Sequence, residues 1–306
     1  MKAIKEFERI KLKRIFIPGE EWVYFKIYSG IKTADRILVE IILPLTKFLK
    51  KERILKNWFF IRYRDSDNHL RIRFRMNQPE YKAKIEELIY KRLRYYVDED
   101  LVWKIQIDTY NREFERYGYD LIELSEEFFC YDSEMVLKIL SVVNGDDGEN
   151  LRWLFGLNAI DQLLSDFKFD LKSKLDLINK LRNGFGLEFR ENKNTRKQLE
   201  KKFRSQRSSV TNIINGNDNS TKNNKTINKI ISARSERSER LLELIISLYK
   251  NDNLKSNFPN FIESYLHMMV NRLFRTNQRL HEFVLYDFLV RYYKSEIAKI
   301  KYNKIK

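Results

Sequence analysis

Apolar residues recur along the chain in two rhythms. Glu21–Ser29 carries Trp22, Tyr24, Phe25, Ile27 and Tyr28 and predicts a strand. Over Lys32–Lys50, Ile37, Leu38, Ile41, Leu45 and Leu49 fall at helical spacing, with a kink expected at Pro44. Asn57–Arg64 and His69–Met76 predict a hairpin over the turn-prone run Asp65-Ser66-Asp67-Asn68. A helix opening near Pro79 and reaching about Tyr96 follows, and then a strand over Leu101–Tyr110. From about Asn111 the helical rhythm takes over, with helices predicted at 120–143, 150–169, 171–185, 227–251, 259–274 and 281–300. Between them Asn215–Thr226 has no apolar side chain and reads as a mobile surface loop. No internal repeat is visible. The pattern predicts an α+β fold in which a small antiparallel sheet from residues 1–110 packs against a largely helical body, 111–306, as a single unit.

Composition fits that picture. Of 306 residues, 43% are hydrophobic and 14% aromatic, enough for a substantial core, and only 9 Gly and 4 Pro interrupt the helices. A net charge of +16 suits acidic partners, although a solvated lysine-rich surface explains it equally, and no nucleic-acid motif is present to suggest direct binding of RNA or DNA. One cysteine, Cys130, excludes a disulfide framework. Three histidines and that cysteine argue against a zinc site, and no metal or cofactor is expected. Charges punctuate the N-terminus and no apolar run is long enough to cross a bilayer, so a cytoplasmic protein without a membrane span is expected. Nucleotide and nucleophile signatures are missing too: there is no GxGxxG, P-loop or Gly-x-Ser-x-Gly.

Three segments carry candidate chemistry. In a strand over His69–Met76, Leu70, Ile72, Phe74 and Met76 would enter the core and leave His69, Arg71, Arg73 and Arg75 on the other face, with Arg62 and Arg64 expected alongside on the paired strand. A half-solvated basic sheet face would look the same, but neighbouring arginines on a rigid strand repel unless an anion meets them. With a helix from Asn111, Glu113 and Arg116 share one face, as do Arg112 and Glu115, and Gly118 fits the helix stop. Asn260, Glu263, His267 and Asn271 form a polar stripe on an otherwise apolar helix, where Glu263 could orient His267; a lone histidine in such a place is more often structural.

Together these segments resemble the elimination domain of class I lantibiotic dehydratases, which is also found alone in thiopeptide-type bacteriocin biosynthesis. The similarity lies in Glu21–Tyr28, Trp58–Asp65, His69–Phe74, the central Arg112-Glu113-Phe114-Glu115-Arg116-Tyr117-Gly118 and the late His267-Met268-Met269-Val270-Asn271-Arg272-Leu273. The family often continues Arg-Tyr-Gly-Gly, whereas Tyr119 follows Gly118 here. The resemblance implies removal of glutamate from a glutamylated Ser or Thr of a precursor peptide with its leader, giving dehydroalanine or dehydrobutyrine. It implies that Arg71 and Arg73 meet the glutamyl group and the developing enolate, that Glu113 and Arg116 form the central pair, and that His267 transfers a proton. His69, Arg62, Arg112 and Asn271 are expected to contact substrate. With no segment before residue 1 to supply glutamylation, the resemblance leads us to expect a separate glutamylating subunit that uses glutamyl-tRNA. It leaves a homodimer open. Two other functions suit the same sequence: a pyridine synthase that joins two dehydroalanines and frees the leader, and a basic module that binds leader peptide without catalysis.

Overall fold

The computed structural model describes residues 12–143, 148–216, 222–251 and 258–305. A short ribbon pairs β1 (Ile15–Phe16) with β6 (Tyr110–Asn111). The main sheet is antiparallel throughout, in the order β3-β4-β2-β5, from β2 (Trp22–Ser29), β3 (Leu55–Arg64), β4 (Asn68–Met76) and β5 (Val102–Ile107). The predicted hairpin is β3–β4, and the Asp67 N–H closes its turn on the Asp65 carboxylate at 3.3 Å.

Register decides which side chains share a face, because residues directly opposite each other on antiparallel strands point the same way. Leu70, Ile72 and Phe74 lie opposite Ile27, Phe25 and Val23 on one side and Arg62, Phe60 and Trp58 on the other, and all of them are buried. Arg62 therefore shares the apolar face and not, as the sequence suggested, the face of the arginines. On the opposite face His69, Arg71, Arg73 and Arg75 stand between Tyr28, Lys26, Tyr24 and Trp22 of β2 and Tyr63, Ile61, Phe59 and Asn57 of β3. That face is roofed at one end: the Trp22 ring meets Tyr110 at 5.0 Å, and Phe59 meets Phe129 at 5.7 Å.

The apolar face is covered by α1 (Ile31–Arg36), a π-helical stretch (Ile37–Ile42), α2 (Leu43–Lys51) and α3 (Lys82–Asp98). The irregularity expected at Pro44 is the π-helical stretch just before it; the helix continues unbroken through Pro44, whose lack of an N–H coincides with the end of the wider turns and the start of α2. The predicted strand over Leu101–Tyr110 is split between β5 and β6. The helix expected from Asn111 is confined to α4 (Phe114–Tyr117), because β1 holds Asn111 in an extended pair.

The helical body comprises α5 (Ile122–Leu140), α6 (Gly148–Asp166), α7 (Leu171–Glu188), α8 (Lys193–Ile214), α9 (Lys222–Asn251), α10 (Phe258–Leu273) and α11 (Gln278–Ile305). The sequence reading missed α8; its buried positions are the sparse Leu199, Phe203, Val210 and Ile213 among charged residues. Of the expected loop at 215–226, residues 217–221 lie outside the described ones, while 222–226 belong to α9. Asn and Thr are poor helix formers, but a helix already anchored by buried Ile227 and Ile231 extends over them at small cost. Arrangement and composition make this an α+β fold, as the pattern predicted.

Candidate functional site

Three arginines of β4 share a face and differ in their company. Arg75 is neutralised: its guanidinium bonds Glu21 and Glu123, each at 3.0 Å. Arg73, buried, has no carboxylate among the described residues. Its guanidinium lies 4.4 Å from the Tyr24 ring, 4.9 Å from Tyr110 and 5.2 Å from Phe59, and its Nε is buried without a hydrogen bond. Burial raises the pKa of both phenols, so neither tyrosine supplies a negative charge. Three aromatic faces thus hold a cation by its attraction to their π electrons alone.

Arg71 is half-buried and likewise has no carboxylate partner among the described residues. Its guanidinium lies 3.4 Å from the Tyr63 ring centre, and its Nε donates to His69 Nε2 at 3.1 Å. A guanidinium can only donate, so Nε2 accepts and the proton of His69 sits on Nδ1, which is 3.1 Å from the Asp67 carbonyl. Burial lowers the pKa of His69 and favours this neutral tautomer, and its ring stacks on Tyr28 at 4.5 Å. Both ring nitrogens are engaged, so His69 orients Arg71.

The remaining expected residues divide in the same way. Arg112 does not pair with Glu115, which bonds Arg14 instead. It is buried and forked onto Glu126 at 2.7 and 2.6 Å, with Glu123 at 3.1 Å, so its charge is spent internally. Arg62 donates to the Arg272 carbonyl at 2.9 Å and to Asp35. Asn271 accepts from the Arg62 N–H and donates to the Arg62 carbonyl, both at 2.9 Å, and so supplies the missing strand neighbour to the edge of β3. The donors of these three residues hold the fold. Arg62 and Asn271 also line a cavity of about 250 Å³ beside the hairpin, together with Tyr63, Arg64, His69 and Arg275.

Glu113 and Arg116 do face each other, 3.4 Å apart and both well exposed. They border an open groove with Asn260, Phe261 and Ser264 of α10. Gly118 ends α4 at φ +81°, a conformation that favours glycine. Tyr117 lies beneath, 5.1 Å from Phe129, and burial followed by the charge of Glu113 pushes its hydroxyl up to about 12, so it remains a neutral donor. The partner of His267 is Glu282 of α11, whose two oxygens lie 3.1 and 3.2 Å from Nδ1, and not Glu263. Glu282 is buried while the imidazole is 32% exposed, which leaves Nε2 as the reachable nitrogen. Among the described residues no hydrogen bond or ion pair joins His267 to Arg71 or Arg73. Tyr63 and Glu282 were missed in the sequence: Tyr63 has the alternation of β3 as its signal, whereas Glu282 meets His267 only through the packing of two helices.

One face of the sheet thus carries two guanidiniums, Arg71 and Arg73, that lie against aromatic rings and have no carboxylate partner among the described residues. The chain belongs to the family described as lantibiotic biosynthesis dehydratase, C-terminal, which it matches over residues 22–293. It is 26% identical over 279 residues, 89% of its length, to the subtilin biosynthesis protein SpaB of Bacillus subtilis, and 30% identical over 140 residues, 45% of its length, to the nisin biosynthesis protein NisB of Lactococcus lactis subsp. lactis. The matched parts are 25% and 13% of those proteins, so the chain spans about a quarter of the first relative. Among solved structures, the fold matches the tRNA-dependent lantibiotic dehydratase MibB from Microbispora sp. 107891 with a TM-score of 0.70 at 20% identity, over 92% of this chain and 28% of that one. It also matches the pyridine synthase TbtD from thiomuracin biosynthesis with a TM-score of 0.56 at 13% identity, over 92% of this chain and 100% of that one.

Proposed function

We propose that this protein eliminates glutamate from glutamylated Ser or Thr residues of a ribosomally made precursor peptide. The observation that carries this reading is the contrast within β4: Arg75 has two carboxylates, while Arg71 and Arg73, on the same face, have none among the described residues. A buried cation without a counterion is costly, and an anionic substrate would relieve that cost. In the proposed reaction a base removes the α-proton of the acylated residue, electrons pass into the Cα–Cβ bond, and the Cβ–O bond breaks to release a carboxylate. Negative charge accumulates first on the peptide carbonyl as an enolate and then on the leaving group. Forked cations aimed at those oxygens lower the barrier. Arg71 and Arg73 take this role, with Arg71 held by His69 and Tyr63. His267, oriented by Glu282, carries the proton, and the Glu113–Arg116 pair borders the groove by which peptide approaches. The substrate carries a leader, glutamate arrives from a separate subunit that draws on glutamyl-tRNA, and the reaction runs in the cytoplasm without a cofactor.

The test is to give the purified protein a peptide glutamylated on Ser or Thr, without ATP, tRNA or added metal. Mass spectrometry should show loss of glutamic acid and gain of a dehydrated residue. The full-length match to a pyridine synthase favours a second reading. If only peptides bearing two dehydroalanines react, giving a ring and a freed leader, that reading replaces the first. Binding without turnover of either peptide would leave a binding module.

A further inference from the structure

The two edges of the main sheet are finished differently. Along β3, side chains substitute for a neighbouring strand: the Asn271 amide bonds both main-chain groups of Arg62 at 2.9 Å, the Ser133 hydroxyl accepts from the Phe60 N–H at 3.3 Å, and Arg272 Nε donates to the Phe60 carbonyl at 2.9 Å. Among the described residues nothing comparable closes β5. The Asp108 N–H donates to the Tyr24 carbonyl at 2.9 Å, so by two-residue alternation Gln106 and Lys104 bond β2 while the N–H and C=O of Ile105 and Ile107 point away from the sheet. Among the described residues no hydrogen bond reaches those four groups. Free edges of this kind are normally blunted.

The outer face of this edge leads to the arginines. Gln106, Lys26 and Arg71 stand side by side across β5, β2 and β4, on the face that carries the candidate site. Lys26 is paired with the Asp108 carboxylate, whereas Lys104, 5.0 Å from the Tyr28 ring, has no carboxylate partner among the described residues and adds a cation to the approach; Trp103, 52% exposed, stands at the start of the strand. With strands about 4.8 Å apart, a strand added outside β5 would run about 14 Å from the backbone of Arg71, a gap that about four extended residues span.

We propose that β5 is the docking edge for the peptide substrate, which adds as a fifth strand by pairing with Ile105 and Ile107 and then crosses Lys104 and Lys26 to bring its reacting residue to Arg71. This rests on the elimination reading, which supplies the peptide. Main-chain pairing reads no particular side chain, Trp103 offers a ring to whichever residue lies beside it, and Lys104 and Arg71, which have no carboxylate partner among the described residues, suit a chain that carries added carboxylates. The edge holds a segment flanking the reacting residue, about four positions away, and not that residue itself.

Two measurements test the edge. The first is amide hydrogen exchange with a fluorescein-labelled 15-residue peptide rich in Ser and Thr. The amides of Ile105 and Ile107 should slow at least tenfold on its addition, whereas those of Lys104 and Gln106, already bonded, should change little. The second is binding of the same peptide, by fluorescence anisotropy, to Ile105→Pro, which removes an outward N–H and no inward one, with Ile105→Ala as the control for the lost side chain. Ile105→Pro should bind roughly tenfold more weakly than Ile105→Ala. If the proline variant fails to fold, an analogue of the peptide N-methylated at alternate residues, offered to the unaltered protein, should show the same loss. Equal affinity for the two peptides, unchanged exchange at Ile105 and Ile107, or protection there that grows with protein concentration in the absence of peptide would overturn the proposal, the last by showing a second copy on the edge. Glutamate release separates the two ideas. Unchanged KM in Ile105→Pro with a glutamylated peptide removes the edge and spares elimination, whereas edge protection without any glutamate release spares the edge and removes elimination.

Discussion

At the scale of single residues, the charges that hold the fold can be separated from those left free. Asp35 shows the first kind: Arg152 and Arg275 each reach it at 2.7 Å, and Arg62 bonds it as well. Burial pushes its carboxyl up, but the arginines outweigh burial and hold it at about 2. Because the folded pKa is depressed below the ordinary 3.8, this contribution is fully present above about pH 4 and is lost as pH falls from 4 towards 2; roughly 2 kcal/mol of stability should go over that window. Asp35→Asn should remove that acid sensitivity and lower stability by about 3–5 kcal/mol in a denaturant titration, since three guanidiniums lose their counterion. Arg73 shows the second kind. Arg73→Met should abolish glutamate release without lowering the melting temperature, because it deletes a cation that nothing neutralises. A large drop in melting temperature would make Arg73 structural. His267→Ala should slow single-turnover glutamate release on the order of 10²–10⁴-fold while the fold melts normally, and Glu282→Gln should cause a smaller loss through misorientation of the ring. Wild-type turnover in His267→Ala would remove the histidine from the mechanism.

Among elements, the β3 edge depends most on a single side chain. Asn271→Ala leaves the N–H and C=O of Arg62 unbonded at the margin of the core and should cost about 1–3 kcal/mol, measured by chemical denaturation. Asn271→Asp should cost as much, because a carboxylate cannot donate to the carbonyl. The β3–β4 hairpin was readable in the sequence because an aromatic-rich run on one side and strict alternation over His69–Met76 on the other flank a run of turn-forming residues, and α10 and α11 because apolar residues recur at helical spacing. The segment at 111–118 was misread because its charged residues sit at helical intervals while β1, from the far end of the chain, holds its start extended. α8 went unread because four buried residues in twenty-two carry little periodic signal. Of the candidate site, the placement of Arg71 and Arg73 on one face was legible because they alternate with the apolar residues of the strand. Their neighbours were not: whether an arginine has a carboxylate beside it depends on Glu21, Glu123 and the aromatic roof, which only the packed sheet brings together.

Across the whole molecule, the excess of positive charge is unevenly spread. Lys193, Arg196, Lys197, Lys201, Lys202, Arg204 and Arg207 are all exposed along α8. Association with acidic peptides or partner proteins should therefore weaken as ionic strength rises, chiefly through slower association; replacing Lys197, Lys201 and Arg207 with Gln should flatten that dependence in stopped-flow measurements, and an on-rate indifferent to salt would reject it. The bonds that seal β3 have a different consequence, one for biosynthesis. They join residues 209 and 212 positions apart in the chain. While a ribosome is still making the protein, the hairpin emerges early with Phe60 and Arg62 presenting an uncapped margin, and their partners appear only when the last helices are made. At roughly 5–20 residues per second that interval lasts on the order of ten seconds or more, far longer than a hairpin needs to form. Nascent chains should therefore favour holding by chaperones, and truncation before residue 271 should yield insoluble protein even though every strand of the sheet is intact.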